Sequence, residues 1–127
     1  MEAMPDADEI VSELRRLGEP GRVAALRRSG IASQAFGVAL PELRSMAKRI
    51  GPNHQLALAL WRNDAREPRI LASLIDIPER LTETQMDRWA KSFDSWEICD
   101  QCCQNLFWRT PFALAKVSRG RDDRKSS

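Results

Sequence analysis

The sequence predicts an all-α protein, and three observations carry that expectation. Apolar residues recur at helical spacing in about seven stretches of roughly 10–15 residues each. Gly, Pro and helix-capping residues punctuate the chain between those stretches. No stretch shows the strict apolar–polar alternation of a half-buried strand. The connectors are short, so consecutive helices read as antiparallel pairs stacked as an α-solenoid or as a bundle. No strict repeat is visible, and periodicity leaves those two open.

Asp6 or Asp8 starts a first helix through about Leu17, with Ile10, Val11, Leu14 and Leu17 in helical register and Gly18 ending it. Pro20 opens a second helix from Gly21 to Arg28, with Val23 and Leu26 inside and Arg22, Arg27 and Arg28 outside. Gly30 stops it, and residues 31–39 form a connector containing Phe36, Gly37 and Val38. Pro41 restarts a helix carrying Leu43, Met46, Ala47 and Ile50, with Arg44, Lys48 and Arg49 exposed. Gly51-Pro52 breaks the chain, and Asn53 caps a helix through Leu56 and Leu60 to Trp61. The wholly apolar run Leu56–Trp61 has the composition of a buried strand as well, but its cap, its alanines and its neighbours favour a buried helix. A further helix spans about Arg66 to Ile75, with Pro68 in its first turn, and Asp76-Ile77-Pro78 ends it. Thr82 with Gln85 forms a candidate capping box for a helix bearing Met86, Trp89 and Phe93. Asp94 with Glu97 forms another, for a last helix starting near Trp96.

A chain of 127 residues is long enough for one compact core or for part of a longer array. Its formal charge of +2 hides an asymmetry. From Leu114 onward the basic residues Lys116, Arg119, Arg121, Arg124 and Lys125 face only Asp122 and Asp123, so residues 1–113 are close to neutral. Net charge therefore gives no argument for nucleic acid, and any such argument rests on local placement of Arg and Lys. No apolar run reaches bilayer length, the acidic start Met1-Glu2-Ala3-Met4-Pro5-Asp6 is unlike a secretory signal, and the three cysteines read as reduced. The expected location is cytoplasmic, with no membrane partner.

The stretch Asp94–Cys103 holds the most unusual chemistry. At about 100° per residue, Trp96, Asp100, Cys103 and Phe107 fall on one stripe. Desolvating an unpaired carboxylate is costly, so Asp100 in such a stripe has to be hydrogen-bonded, ion-paired or on the wall of a cleft. On spacing alone, a packed indole beside an aspartate tied to a neighbouring helix is the favoured explanation of the pair, ahead of a functional site. Trp61 and Trp89 read as core, and Trp108 falls off the stripe and is expected to be partly exposed. Cys99, Cys102 and Cys103, with His54 as the only histidine, do not make the converging tetrahedral set that zinc needs, so no metal is expected. Arg44, Lys48 and Arg49 lie together on one helix, with Arg22, Arg27 and Arg28 on the one before. Such residues ordinarily form a solvated face; on a concave solenoid surface they are placed for phosphates.

Several pieces stand in a distinctive order and spacing: Phe36-Gly37-Val38 with Pro41-Glu42-Leu43-Arg44 and Ala47-Lys48; His54-Gln55-Leu56-Ala57 with Leu60-Trp61; and Glu67 with Arg69 and Leu71-Ala72. Met86-Asp87-Arg88-Trp89 then leads into Asp94-Ser95-Trp96-Glu97-Ile98-Cys99-Asp100. Together they resemble the bacterial DNA alkylation repair family of HEAT-like helical repeats, the AlkD-like alkylpurine DNA glycosylases. The resemblance covers about residues 8 to 113. It implies a HEAT-like α-solenoid of antiparallel helix pairs with duplex DNA carrying alkylated bases on a basic concave face, where Arg27, Arg28, Arg44, Lys48 and Arg49 are the candidate contacts. Active members hydrolyse the N-glycosidic bond of N3- or N7-alkylated purines without metal or cofactor and without a flipped-base pocket. By the family's pattern Trp96 lies against the lesion's deoxyribose and backbone, while Asp100 stabilises the oxocarbenium-like sugar and helps position water.

The chain departs from the family where the domain normally continues through further repeats that supply a second tryptophan and a phosphate-binding arginine. The expected organisation is a flexible segment 1–7, a HEAT-like domain 8–116 forming the N-terminal part of a longer family domain, and a disordered polar tail 117–127. Some branches of the family lack glycosylase activity. The alternative is therefore a non-catalytic helical-repeat module binding DNA or protein, or an inactive fragment of the enzyme. The chain is expected to be a monomer, or self-associating if truncated, because a solenoid without its capping repeat leaves an apolar face uncovered.

Overall fold

A computed structural model of the chain describes residues 6–30, 34–93 and 95–110. Among them the secondary structure is helical throughout, as the periodicity predicts: α1 (Ala7–Leu17), α2 (Pro20–Arg28), α3 (Leu40–Ile50), α4 (His54–Trp61), α5 (Arg66–Ile75), α6 (Glu83–Lys91) and α7 (Trp96–Asn105), with single 3₁₀ turns at Pro78–Arg80 and Phe107–Arg109. The proposed segments 1–7 and 117–127, part of the 31–39 connector and the end of the 8–116 unit fall wholly or partly outside the described residues, as does Asp94.

The caps explain where most helices begin. Asp6 accepts the Glu9 amide at 2.8 Å, Asn53 that of Leu56 at 3.0 Å, and Thr82 that of Gln85 at 3.0 Å. α2 and α3 instead carry Pro in their first turn, where the missing N–H costs nothing. The capping box at Thr82 is only half formed. The Gln85 side chain turns away to donate to Asp76 at 2.7 Å, and Asp76 also meets His54 Nδ1 at 2.6 Å and the Ile77 amide at 2.8 Å.

Helix α5 is the centre of the packing. It lies against α3, α4 and α7, with α1 reaching both α4 and α5. Every α5 residue except Leu74 is buried, including Arg66, Glu67, Arg69 and Ser73. Around it the core gathers Leu14, Leu43, Leu60, Ile70, Leu71, Ile75, Ile98 and Leu106. Trp61 and Trp89 are core, as expected, and they stack with centroids 4.1 Å apart and planes 1° from parallel, joining α4 to α6. The Arg69 guanidinium sits 4.7 Å from the Trp61 centroid and donates to the Ser92 carbonyl at 2.7 Å, so the turn after α6 is fastened to α5 as well.

Three expectations are corrected. α2 has no buried residue: Val23 and Leu26 are half-buried, because α2 stands apart from the close helix packing and meets chiefly the 36–37 connector. α6 ends at Lys91, so Phe93 lies beyond it and packs edge-on to Trp61 at 6.1 Å. α7 ends at Asn105, where Leu106 leaves helical geometry at φ −134°. Phe107 then turns in to stack on Phe93 at 6.2 Å instead of continuing the Trp96 stripe.

Candidate active site

α7 presents two opposite faces. Ile98 and Cys102, four residues apart, are buried at 1% and 0% exposure and dock the helix on the core. Trp96 and Asp100, also four residues apart, lie on the outside, with Trp96 60% exposed. Of the expected stripe, Trp96 and Asp100 are exposed, Cys103 is half-buried and Phe107 is buried, so Asp100 meets no desolvation penalty. Among the described residues its carboxylate has no hydrogen bond or ion pair. Trp108 is likewise exposed, as expected. The helix is capped by Ser95, which accepts the Ile98 amide at 3.3 Å. Glu97 is buried and bonds to Arg66, while the Asp94 half of the expected capping box lies outside the described residues.

Glu97 belongs to a buried polar network that the pattern of residues alone did not reveal. Arg66 Nε and Nη2 donate to the two Glu97 oxygens at 2.5 and 2.9 Å. Arg66 Nη1 donates to Glu67 at 2.7 Å and to the Val38 carbonyl at 2.9 Å. Glu67 in turn accepts three successive amides, from Phe36, Gly37 and Val38, at 2.8, 2.9 and 3.1 Å. Both acids are thereby compensated, one by an arginine fork and one by backbone donors. Burial works against the Arg66 charge, but its bonds and proximity to Glu97 and Glu67 outweigh it and hold the guanidinium above its usual pKa. The sequence signal was Phe36-Gly37-Val38 together with Glu67, which the family resemblance had picked out without a physical reason.

All three cysteines are free thiols. Burial chiefly pushes Cys102 well above its usual pKa, with Cys103 and Cys99 adding to the effect and Arg69 opposing it. Cys103 is pushed up to about 11, first by burial, then by the charge and hydrogen bond of Cys99, then by Asp100. The Cys102 and Cys103 thiols are thereby held protonated at neutral pH, where they are poor nucleophiles. Among the described residues no cluster of three metal-ligating side chains occurs, and no helix is long and apolar enough to cross a membrane.

The basic candidates fall on two helices. Arg44 and Lys48 stay together on α3 and line, with Gly51 and Leu74, a groove of about 580 Å³. Arg49 is exposed but turns to Glu13 of α1 at 2.5 Å. Arg27 lines a second groove, of about 440 Å³, with Arg15 and Phe36, while Arg28 is exposed at the end of α2. Among the described residues no hydrogen bond or ion pair joins these cations to Asp100. An exposed indole one helical turn from a carboxylate unpaired among the described residues offers a flat surface for a sugar and a negative charge, and the separate grooves on α2 and α3 offer cations suited to phosphates.

The all-α fold is that of the HEAT-like helical-repeat proteins. The sequence matches the DNA alkylation repair enzyme family over residues 10–119, and the chain belongs to that family. None of the curated proteins matches it. A solved structure from a family described as related to the HEAT-like repeat DNA glycosylases, with affinity for branched DNA structures, superposes with a TM-score of 0.78 at 24% identity. The match covers 86% of this chain and 46% of that one, so this chain spans about half the relative's length, and the likeness is one of fold.

Proposed function

We propose that the chain hydrolyses the N-glycosidic bond of N3- or N7-alkylated purines in duplex DNA, with Trp96 against the lesion's deoxyribose and backbone and Asp100 facing the reacting sugar. The observation that carries this reading is the outward Trp96–Asp100 pair, its carboxylate unpaired among the described residues, in a member of the DNA alkylation repair enzyme family. An alkylated purine is already a cationic leaving group, so the step needs little acid catalysis. It needs negative charge where the sugar becomes oxocarbenium-like. Exposure weakens Asp100 in the free protein, but DNA laid over α7 displaces water and strengthens its field. Arg44 and Lys48 on α3, Arg27 and Arg28 on α2, and Arg49 once released from Glu13, serve the phosphates. No metal or cofactor has a part in this reading.

A second reading has a specific support. The solved relative of the same fold is described by its affinity for branched DNA, which fits a binding module without base release. Release of 7-methylguanine from methylated duplex DNA at low salt, with Asp100→Asn alongside, separates the two. The first reading expects release by the wild type and a loss of about a hundredfold or more in the variant. Salt-sensitive binding to duplex or branched DNA without release from either protein supports the second.

A further inference from the structure

Trp96 and Asp100 stand on the solvent side of α7, and among the described residues no hydrogen bond, ion pair or ring contact holds either side chain. Their aim depends on how α7 is rotated about its axis and slid along its neighbour. The apolar anchors Ile98 and Cys102 hold α7 down by contact that is non-directional and tolerates small rotations. At the far end of the helix Asn105 donates to Ser73 of α5 at 3.1 Å, leaving the first turn to be fixed separately. A buried acid is an unexpected choice between Trp96 and Ile98. Apolar residues of like volume usually give equal or greater stability than a buried ion pair. What the pair adds is geometry. Two parallel hydrogen bonds from the rigid Arg66 fork to both Glu97 oxygens fix translation and rotation together, at the residue following Trp96 and three before Asp100. Arg66 is itself held by the Val38 carbonyl and by Glu67, and its own amide donates to Gln34 at 3.0 Å.

We propose that Arg66 and Glu97 are positioning residues that set the aim of the Trp96–Asp100 pair through the first turn of α7. The catalytic half of this proposal rests on the glycosylase reading; the geometric half does not.

The test uses the whole chain labelled with 5-fluorotryptophan, whose four resonances are assigned by single Trp→Phe changes. Two variants remove the fork differently: Glu97→Gln keeps the shape, and Glu97→Leu replaces the acid by an apolar side chain. Both leave Arg66 paired with Glu67; Glu97→Gln keeps an acceptor near the fork, whereas Glu97→Leu leaves Nε and Nη2 without one. In both variants the Trp96 resonance shifts or changes width while those of Trp61 and Trp89 stay in place. Base release then falls roughly tenfold or more in kcat, with KM within about twofold, as expected for misplacement without lost binding. An unmoved Trp96 resonance in both variants overturns the proposal, as does a displacement of Trp61 and Trp89 together with Trp96, which marks a general structural role. Absence of base release by the wild type counts against the glycosylase reading alone, since the Trp96 resonance still decides the positioning role.

Discussion

Glu67 shows how one buried charge organises a loop. It is fully buried, and the amides of Phe36, Gly37 and Val38 converge on its carboxylate while Arg66 supplies a cation. Gly37 is required there. Its φ is +89°, and a Cβ would lie 2.4 Å from the Glu19 carbonyl oxygen. Glu67→Ala leaves those amides without acceptors and deprives Arg66 of one acid, so unfolding stability drops by about 3–5 kcal/mol. Urea denaturation reads this as a lower midpoint; an unchanged midpoint contradicts it. Cys103 gives a prediction of the opposite kind. Its thiol is raised from the usual 9.0 to about 11, so the folded chain holds that proton where the unfolded chain has released it. Its contribution to stability is complete below pH 9 and is lost as pH rises through 11. Carboxymethylation of Cys103, followed by mass spectrometry, therefore stays slow at pH 8 and accelerates toward pH 11.

Helix α5 sets what the other elements can do, because nearly all of it is buried and α3, α4 and α7 pack on it. Leu71, at 0% exposure, faces this shared core, and Leu71→Ala costs about 2–5 kcal/mol, measured as a lowered midpoint in the same denaturation. The boundaries of α5 were legible, since Pro68 suits a first turn and Asp76-Ile77-Pro78 suits a stop. Its full burial was not legible. Arg66, Glu67 and Arg69 carry charges, which the pattern places in solvent unless the partners are known. Arg66 meets Glu97 and Glu67 meets the 36–38 amides about 30 residues away in sequence, and Arg69 meets Ser92 23 residues on. α2 failed in the opposite direction. Val23 and Leu26 have core spacing, but burial needs a facing element, and spacing says nothing about whether one exists. At α7 the stripe of Trp96, Asp100 and Cys103 was found correctly, but a stripe does not say which side faces the core. Ile98 and Cys102 take that side.

At the scale of the molecule, one all-α scaffold carries both the cationic helices and the outward Trp–Asp pair. Residues 1–113 are close to electroneutral, so attraction to DNA has to arise from local cations rather than from the overall field. Removing Arg44 and Lys48 together lowers the slope of log affinity against log salt by about 2, and fluorescence anisotropy across a salt series measures it. An unchanged slope places the phosphates elsewhere. The central claim is that Asp100 faces the reacting sugar, and release of 7-methylguanine from methylated duplex DNA at low salt tests it most directly. Release by the wild type, lost in an Asp100→Asn variant that keeps its cooperative melt, is the predicted result. Equal release by the two proteins, or release by neither, contradicts it.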